Sequence, residues 1–527
     1  MQQTQWVVSA NRSILWSLVV MLCCGCLSPQ QVSSGTRPNI VLILCDDMGW
    51  SDLGCYGGEV QTPYLNQLAH EGLRFTHCYN NAKCTTTRAS LMTGLYPRQG
   101  GDHLLGEAMV TMAEALKKVG YQTAMSGKWH LGGQFPLRPV DRGFDHFYGL
   151  LDGACHYFDP SKPDPDFKGN RVRVFVDGEE PVITFPSDFY TTDAFAERAC
   201  QQIRQMAELE APFFMHLAFT APHYPLHAFP EDVQDYQGVY KEGWESLRLK
   251  RHQRQISMGL VDPGWRLPER DPEVEPWEDQ THASWQSQRM ATYAAMIDRM
   301  DRGIGKVLQT LTETGLEQDT LVVFLSDNGG CAEVYSQDLP EHQPGSGDSY
   351  MTCGPGWAFA QNTPFRRFKT WLHEGGIATP MIVRWPTQIA PNTVSSQVCH
   401  IIDLMPTFLE VAQGTYPTQY RGRPIIPCEG VSLTPIFSGQ SLPGSRVLWW
   451  EYRGSRAVRE GPWKLVRDRK RPDWELYHME HDRTETNDLA KQYPEKVTQM
   501  AKSWQGWHTR MESPLSLIHI SEPTRPY

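Results

Sequence analysis

Four short apolar runs, each followed by polar or titratable residues, limit the folds that this chain can adopt. Buried parallel strands have this length and composition, and ligands bind beyond the carboxyl ends of such strands in open α/β sheets. The runs and the residues after them are Ile40–Leu44 with Asp46 and Asp47, Thr123–Met125 with Lys128 and His130, Phe213–Phe219 with His223, and Leu321–Leu325 with Asp327 and Asn328. The sequence therefore predicts an α/β fold with one site at the ends of its strands.

A long amphipathic helix is predicted between the third run and the fourth. Apolar residues recur at spacings of three and four from Met290 to Leu311, and Gly315 is placed to end the helix. This stripe indicates core packing. The preceding residues, 240–278, mix basic residues with Pro-rich acidic sequence. They form either an insertion over the site or a solvated excursion.

The composition excludes a disordered chain and argues against a nucleic-acid partner. Of the 527 residues, 40% are hydrophobic, which is ample for a core. The formal net charge of −11 opposes binding to nucleic acid. An anionic substrate would therefore need a local basic pocket.

Both ends of the chain differ from the rest. Residues 1 to about 30 are typical of an export signal, with Arg12 as the only charge and an apolar run too short to span a bilayer. We expect a periplasmic or secreted protein without a stable membrane span, with lipoprotein anchoring through Cys26 as the alternative. Residues 515–525 match the translation of a transposon-end adapter used in library sequencing. We therefore expect 515–527 to be an artefact and the authentic chain to stop near Pro514.

Cys84 and Arg88 stand four residues apart at the start of a predicted helix. A thiol at a helix N-terminus is surrounded by unpaired N–H groups, which suits an anion or a nucleophile that attacks one. Taken alone, the pair leaves open a buried structural cysteine beside a surface arginine.

Asp46–Asp47 and Asp327–Asn328 are candidate metal ligands. Adjacent acids at a strand end repel each other unless they share a cation, and an all-oxygen set suits Ca²⁺ or Mg²⁺. For any single pair, a turn or a helix cap is the alternative.

The segment Asn81–Gly94 resembles the active-site signature of the sulfatase family. In that signature a Cys, followed two residues later by Pro or Ala and four later by Arg, is oxidised to formylglycine. The flanking stretches Arg37–Trp50 and Ala89–Pro97 match as well, whereas Thr86 stands where the family has Pro or Ala. The resemblance extends to Pro514, and Phe144–Gly149 looks most like bacterial arylsulfatase-type members.

The resemblance implies an alkaline-phosphatase-like α/β sandwich with a large, mostly parallel central sheet. It also implies a small C-terminal α+β subdomain with an antiparallel sheet. Short strand-like segments between residues 446 and 477, and a final helix over about 494–510, fit such a subdomain. We therefore divide the chain into a signal peptide (1–30), a catalytic domain (37–420) and a C-terminal subdomain (421–514).

The resemblance also implies the roles of the site residues. The metal, Ca²⁺ or alternatively Mg²⁺, would be held by Asp46, Asp47, Asp327, Asn328 and the formylglycine made from Cys84. The groups that would contact sulfate are Arg88, Lys128, His130, His223 and Lys369. In the implied mechanism, one hydroxyl of the hydrated formylglycine attacks sulfur and His223 or Lys369 protonates the leaving oxygen. His130 then removes a proton from the second hydroxyl, so that sulfate is expelled.

We therefore predict a sulfuric ester hydrolase. Its substrate would be a sulfated small molecule or glycan, and a formylglycine-generating enzyme would be its partner. One alternative is a phosphodiesterase or phosphonate monoester hydrolase on the same fold. Another is a non-catalytic binder of sulfated glycans, if Thr86 prevents modification of Cys84.

Overall fold

The structure is a computed structural model that describes residues 37–100 and 104–512. The strands are β1 Asn39–Cys45, β2 Leu73–Tyr79, β3 Gln122–Lys128, β4 His146–Leu150, β5 Phe175–Asp177, β6 Glu180–Pro181, β7 Phe213–Ala218, β8 Thr320–Ser326, β9 Ala378–Arg384, β10 Thr393–Ser395, β11 Cys399–His400, β12 Gln419–Tyr420, β13 Arg423–Pro424, β14 Val447–Tyr452, β15 Ser455–Glu460, β16 Trp463–Arg467 and β17 Glu475–His478. The α-helices are α1 Pro63–His70, α2 Cys84–Thr93, α3 Met112–Lys118, α4 Thr191–Ala207, α5 Pro230–Gln234, α6 Gly243–Ser257, α7 Ala283–Glu313, α8 Gly354–Gln361, α9 Glu374–Ile377, α10 Leu404–Val411, α11 Thr434–Phe437 and α12 Pro494–Glu512. The expected signal peptide, with Cys26, and the adapter-like tail lie outside the described residues.

The four predicted runs form the centre of an 11-stranded sheet, in the order β8-β1-β7-β3. All three pairings among these strands are parallel, with Ile40 opposite both Phe214 and Leu321. Antiparallel strands flank this centre, because β9 runs against β8 and β5 runs against β4. The predicted α/β fold with a mostly parallel sheet is confirmed.

Helices cover both faces of the sheet. Val41 and Ile43 point into a core shared with α1, α4 and α7, whereas Ile40, Leu42 and Leu44 point into a second core shared with α2, α3 and α10. Successive side chains of a strand alternate between faces, so a strand covered on both sides is apolar throughout. The predicted amphipathic helix is α7, and its stripe packs in the first of these cores.

The C-terminal region forms a separate antiparallel sheet, in the order β14-β15-β16-β17. Helix α12 covers this sheet with Trp504 and Trp507, which pack against Val458, Leu465 and Leu476. The predicted antiparallel strands and final helix are confirmed.

The residues 240–278 are not simply a solvated excursion. Arg248 and Arg251, on α6, are 2% and 0% exposed. Arg248 donates to the carbonyls of Phe359, Pro364 and Phe365, and Arg251 pairs with Asp52 and Glu59. Both side chains therefore tie α6 to the body of the protein.

Candidate active site

The polar residues that follow the four central strands meet at one edge of the sheet. The pairing of β1 with β8 continues past the strands, because the Asp327 N–H donates to the Cys45 carbonyl at 3.1 Å. Asp46 is tied in the same way to the loop after β7, through the Ala221 carbonyl at 3.0 Å. Parallel strands bring their carboxyl ends together, which is why residues about 280 positions apart become neighbours.

Three carboxylates and one amide form the buried floor of the site. Asp46, Asp47, Asp327 and Asn328 are each 0–1% exposed. The Asn328 amide donates to Asp47 Oδ1 at 2.7 Å, and the Asp47 N–H donates to Asp327 Oδ1 at 3.3 Å. Ligand atoms of Asp46, Asp47 and His223 lie within 4.8 Å of one another. Asp46 Oδ1 and Asn328 Oδ1 have no hydrogen-bond partner within the described part of the chain.

Three buried cations face these carboxylates. Arg88 contacts Asp327 Oδ2 through Nε at 3.1 Å and Nη2 at 2.9 Å. Lys128 is hydrogen-bonded to Asp46, and Lys369 lies 2.6 Å from Asp47 Oδ1. The expected sulfate-contacting cations therefore converge on the expected metal ligands.

The two adjacent aspartates have opposite electrostatic environments. Burial and repulsion from Asp327 raise the pKa of Asp46, despite its contact with Lys128. Burial would also raise the pKa of Asp47, but Lys369 and His223 outweigh it and lower this pKa below its ordinary value. The positive charges of the protein thus compensate Asp47 better than Asp46.

Cys84 is the first residue of α2 and is 1% exposed. The Thr86 hydroxyl, two residues into the helix, donates to the carbonyls of Asn81 at 3.0 Å and Lys83 at 2.9 Å. Gly94 ends the helix at φ 70°, a conformation that glycine adopts at little cost. Cys84 therefore stands at the start of the helix, and a neighbouring threonine hydrogen-bonds the backbone carbonyls just before it.

His130 and His223 both line the cavity that Cys84 lines. Burial, followed by the charges of Lys128 and Arg88, lowers the pKa of His130 well below its ordinary value. The ring of His130 packs on Gly153, where a Cβ would lie 2.4 Å from Cε1, and its Nδ1 has no hydrogen-bond partner among the described residues. His130 is therefore a neutral ring that lines the cavity.

His223 is held in one tautomer. Its Nδ1 lies 2.5 Å from the Tyr224 carbonyl, which only accepts hydrogen bonds, so this nitrogen carries the proton in the neutral ring. Its Nε2 lies 3.5 Å from Asp47 Oδ2. Burial lowers the pKa of His223 to about 4. The neutral ring therefore presents an unprotonated nitrogen to Asp47.

Backbone hydrogen bonds position Lys369 between the other parts of the site. Its N–H donates to the Gly330 carbonyl at 3.1 Å, and the N–H of Thr370 donates to Ala82 at 2.7 Å. The residues around Lys369 are thereby tied both to the loop after Asn328 and to the turn before Cys84.

The cavity above the site has a volume of about 580 Å³. Sequence reasoning missed part of its wall, namely Lys83, Lys168, Arg171, Arg173, Tyr224 and Tyr350. Lys83 is adjacent to Cys84 in sequence, which was an available signal. Lys168, Arg171 and Arg173 lie in a segment with no helical or strand periodicity, which resembles any solvated surface loop. No sequence pattern therefore indicated that they line the cavity.

The sulfatase family model matches residues 38–415, and the model for the C-terminal region of N-sulphoglucosamine sulphohydrolase matches residues 365–507. An uncharacterized sulfatase of Schizosaccharomyces pombe is 30% identical, and the match covers 89% of this chain and 93% of the yeast protein. An arylsulfatase of Klebsiella aerogenes is 32% identical, and the match covers 81% of this chain and 97% of the arylsulfatase. Among solved structures, Ps i-CgsB in complex with k-i-k-neocarrahexaose has a TM-score of 0.68 and 26% identity, covering 91% and 94%.

The chain therefore belongs to the sulfatase family, as its active-site segment predicts, and is a sulfuric ester hydrolase. Its fold is that of the sulfatases, with the large central sheet and the C-terminal antiparallel sheet that the resemblance implies. Within the described residues, every helix is too short or too polar to cross a membrane.

Proposed function

We propose that this protein cleaves sulfate monoesters through a formylglycine derived from Cys84, with a divalent metal held beside it. One observation carries the proposal. Cys84, at the N-terminus of α2, lines one cavity with His130 and His223, and His223 belongs to the cluster of Asp46 and Asp47. A nucleophile, a neutral base and a cation site thus share one small volume.

The buried oxygens fit a hard cation. An unpartnered buried acceptor costs about 1–3 kcal/mol, and this site has two of them, Asp46 Oδ1 and Asn328 Oδ1. Carboxylate and amide oxygens favour Ca²⁺ or Mg²⁺ over Zn²⁺. Asp46, Asp47, Asp327 and Asn328 would hold the ion, which would favour the ionised form of the nucleophile and polarise a sulfate oxygen.

The surroundings of Cys84 are compatible with formylglycine at that position. In hydrated form this residue supplies two hydroxyls on one carbon, one to attack sulfur and one whose deprotonation releases sulfate. The Thr86 hydroxyl is engaged by the backbone of residues 81 and 83. The Thr86 side chain is therefore held against the backbone of the turn before the helix. A formylglycine-generating enzyme that accepts Thr86 is the partner this proposal requires.

The cations bind and orient the sulfate group. Arg88, Lys128 and Lys369 are at most 3% exposed and approach the site from three elements. Arg88 is fixed by Asp327 and by the Lys128 carbonyl, to which Nη1 donates at 2.8 Å. Preorganised charges of this kind stabilise developing negative charge without reorganisation.

We assign proton transfer to His130 and Lys369. His130 is the base, because it lines the cavity with Cys84 and its lowered pKa keeps the ring neutral. Burial would lower the pKa of Lys369, but Asp47 outweighs it and raises this pKa, so Lys369 stays protonated and has a proton to give to the leaving oxygen. Neutral His223 carries its proton on the nitrogen that faces the Tyr224 carbonyl. This favours Lys369 over His223 as the donor.

The substrate we propose is a sulfated carbohydrate or small molecule, acted on outside the cytoplasm after export through residues 1–30. The complex of Ps i-CgsB with a neocarrahexaose supports a glycan. The division at residue 420 also stays a proposal, supported by the core that α12 forms with the four C-terminal strands.

Mass spectrometry of the peptide that carries Cys84 tests the proposal directly. Protein produced together with a formylglycine-generating enzyme should yield a peptide lighter than the thiol form and should hydrolyse 4-nitrophenyl sulfate. Multiple turnovers by protein with an unmodified thiol would overturn the formylglycine mechanism. Faster cleavage of bis(4-nitrophenyl) phosphate would support the phosphodiesterase alternative. Binding of sulfated glycan by an unmodified, inactive protein would support the binder.

A further inference from the structure

The active-site cavity is larger than a sulfate group requires. Its volume of about 580 Å³ lies within the range of roughly 300–1,000 Å³ typical of small-molecule sites. Beyond Cys84, His130 and His223, its wall continues onto residues 168–174 and onto Tyr224 and Tyr350. This outer wall faces the part of a substrate that remains attached to the ester oxygen.

Two of the three basic side chains in this wall are already paired. Arg171 lies 2.5 Å from Asp152 Oδ1, and Arg173 Nε donates to Asp164 Oδ2 at 2.8 Å. Asp152 also accepts the Val174 N–H at 2.7 Å. These carboxylates neutralise the arginines and fix the loop.

Lys168 differs from the two arginines because it forms no ion pair within the described residues. Its Nζ donates to Tyr335 Oη at 3.0 Å and lies 4.3 Å from the centroid of the Tyr335 ring. An ammonium group has three N–H donors, so two of them remain available. The nearby carboxylate of Glu333 is occupied, since it accepts from Tyr224 and Tyr335 and faces Lys83.

Tyr350 provides an independent sign of a ligand at the same place. It is 5% exposed and lines the cavity, and its hydroxyl is buried without a hydrogen-bond partner in the described part of the chain. Its ring centroid lies 5.9 Å from Lys168 Nζ. The outer wall therefore contains a lysine without an ion pair and, beside it, a tyrosine whose hydroxyl has no partner among the described residues.

The ring of Tyr224 connects this pair to the sulfate end of the site. Lys369 Nζ and Lys168 Nζ each lie 5.7 Å from the centroid of that ring. The two lysines therefore share one aromatic neighbour, which itself lines the cavity.

We propose that Lys168 and Tyr350 form a second anion subsite, which binds another acidic group of the carbohydrate whose sulfate ester is cleaved. The preferred substrates are then sulfated carbohydrates with at least two acidic groups, the second being a sulfate or a carboxylate. The inference rests on the proposed function, because it takes the cavity of Cys84 as the place of ester cleavage.

Calorimetric binding to the Cys84→Ala variant tests the subsite without any turnover. The ligands are a monosulfated hexosamine, its disulfated form, and a monosulfated disaccharide that contains a uronic acid. We expect Lys168→Met to weaken binding of a diacidic ligand about 10- to 100-fold, the value of a hydrogen bond to a charged group. Binding of the monosulfated hexosamine should change less than about threefold. Tyr350→Phe should act in the same direction with a smaller effect.

Lys162 provides the matched control, because it is an exposed lysine of the same loop that does not line the cavity. Lys162→Met should leave all three affinities unchanged. Equal weakening of every ligand by Lys168→Met, or no preference of the parent protein for a second acidic group, would overturn the subsite. The ligand that shows the preference identifies the group as sulfate or carboxylate. Failure of the proposed function would appear separately, as absent turnover of 4-nitrophenyl sulfate by protein with formylglycine at position 84.

Discussion

Two buried clusters of charged side chains lie at the two ends of one short segment, residues 369–374. The site cluster contains Lys369, and the subdomain cluster contains Glu374 and joins the catalytic core to the C-terminal sheet. The members of the site cluster are Asp46, Asp47, Asp327, Arg88, Lys128 and Lys369, and those of the subdomain cluster are Glu374, Glu485, Lys464, Arg483 and Arg459. Every member of both clusters is at most 4% exposed.

Glu374 of the subdomain cluster and Asp46 of the site cluster differ in how completely the protein satisfies their carboxylates. Both oxygens of Glu374 are occupied, one by Lys464 at 2.8 Å and the other by Arg483 at 2.8 Å and Tyr79 at 2.9 Å. Burial alone would raise the pKa of Glu374, but Lys464 and Arg483 outweigh it and lower this pKa to about 2. Asp46 keeps one unpartnered oxygen, and its pKa is raised. Burial and charge therefore do not distinguish these two carboxylates, whereas the completeness of their charge compensation does.

The largest effect should follow Cys84→Ala. The cations and the carboxylates remain in this variant, but no group can attack sulfur, so kcat/KM for 4-nitrophenyl sulfate should fall about 10⁴-fold or more. The unfolding temperature should stay close to that of the parent. Cys200→Ala, at a cysteine of α4 outside the cavity wall, is the control and should retain activity. Residual turnover of the Cys84→Ala variant near that of the parent would remove Cys84 from the mechanism.

Asp327→Asn should be the next largest effect. The change keeps the shape but removes a charge that faces Arg88 at 2.9 Å, so we expect bound metal to be lost and kcat/KM to fall about 10³-fold. Elemental analysis measures the bound metal. Rates after chelation and reloading with Ca²⁺, Mg²⁺ or Zn²⁺ measure how far kcat/KM depends on it.

Asp301→Asn is the matched control for that experiment. Asp301 is 0% exposed and accepts backbone N–H groups of Tyr64 and Leu65, away from the cavity. Its kcat/KM should stay near that of the parent. Unchanged activity of the parent after exhaustive chelation would exclude the metal from the reaction.

Glu374→Gln should reverse the pattern, with stability lost and activity retained. The variant leaves Lys464 and Arg483 short of a buried counter-charge, so the free energy of unfolding should fall by about 3 kcal/mol. The kcat/KM of the folded fraction should stay within about threefold of the parent, because Lys369 keeps its backbone contacts. Denaturant titration and kinetics at low temperature separate the two quantities. A large fall in kcat/KM at full folding would mean that this cluster also positions the site.

The same residue predicts how stability depends on pH. The pKa of Glu374 is lowered from 4.5 to about 2, so its contribution to stability is fully present above pH 4.5 and is lost as the pH falls toward 2. The contribution amounts to about 3 kcal/mol. Unfolding of the parent followed between pH 6 and 3 should show this loss, and Glu374→Gln should show a shallower dependence. Identical slopes for the two proteins would contradict the assignment.

The smallest effect should come from an exposed ion pair. Glu197 and Lys306 lie 3.2 Å apart with side chains 59% and 53% exposed. Glu197→Gln should change the free energy of unfolding by less than about 0.5 kcal/mol. A change as large as that of Glu374→Gln would mean that burial does not determine how much an ion pair contributes to the free energy of unfolding.

The local sequence predicted the strands and helices of the fold more completely than it predicted which residues surround a given side chain. The runs that became β1, β3, β7 and β8 were predictable because burial on both faces demands uninterrupted apolar residues. The antiparallel partners β2 and β9 were not predicted as strands, since polar residues or a proline interrupt their apolar pattern. The sequence left open whether Arg248 and Arg251 are solvated, because their buried partners lie far away in sequence.

The sequence by itself determined the sulfatase family, the parallel sheet and the identity of the residues that meet at its edge. Apolar runs and short motifs encode these features locally. Tertiary structure alone decided which cation faces which carboxylate. Among the residues that the structure describes, it also decided which oxygens of Asp46 and Asn328 stay unpartnered and that Lys168 faces the active-site cavity without an ion pair. Contacts of this kind depend on packing between segments that are distant in the chain, and the same basic residue is a solvated charge or a ligand-binding group according to what the fold places beside it.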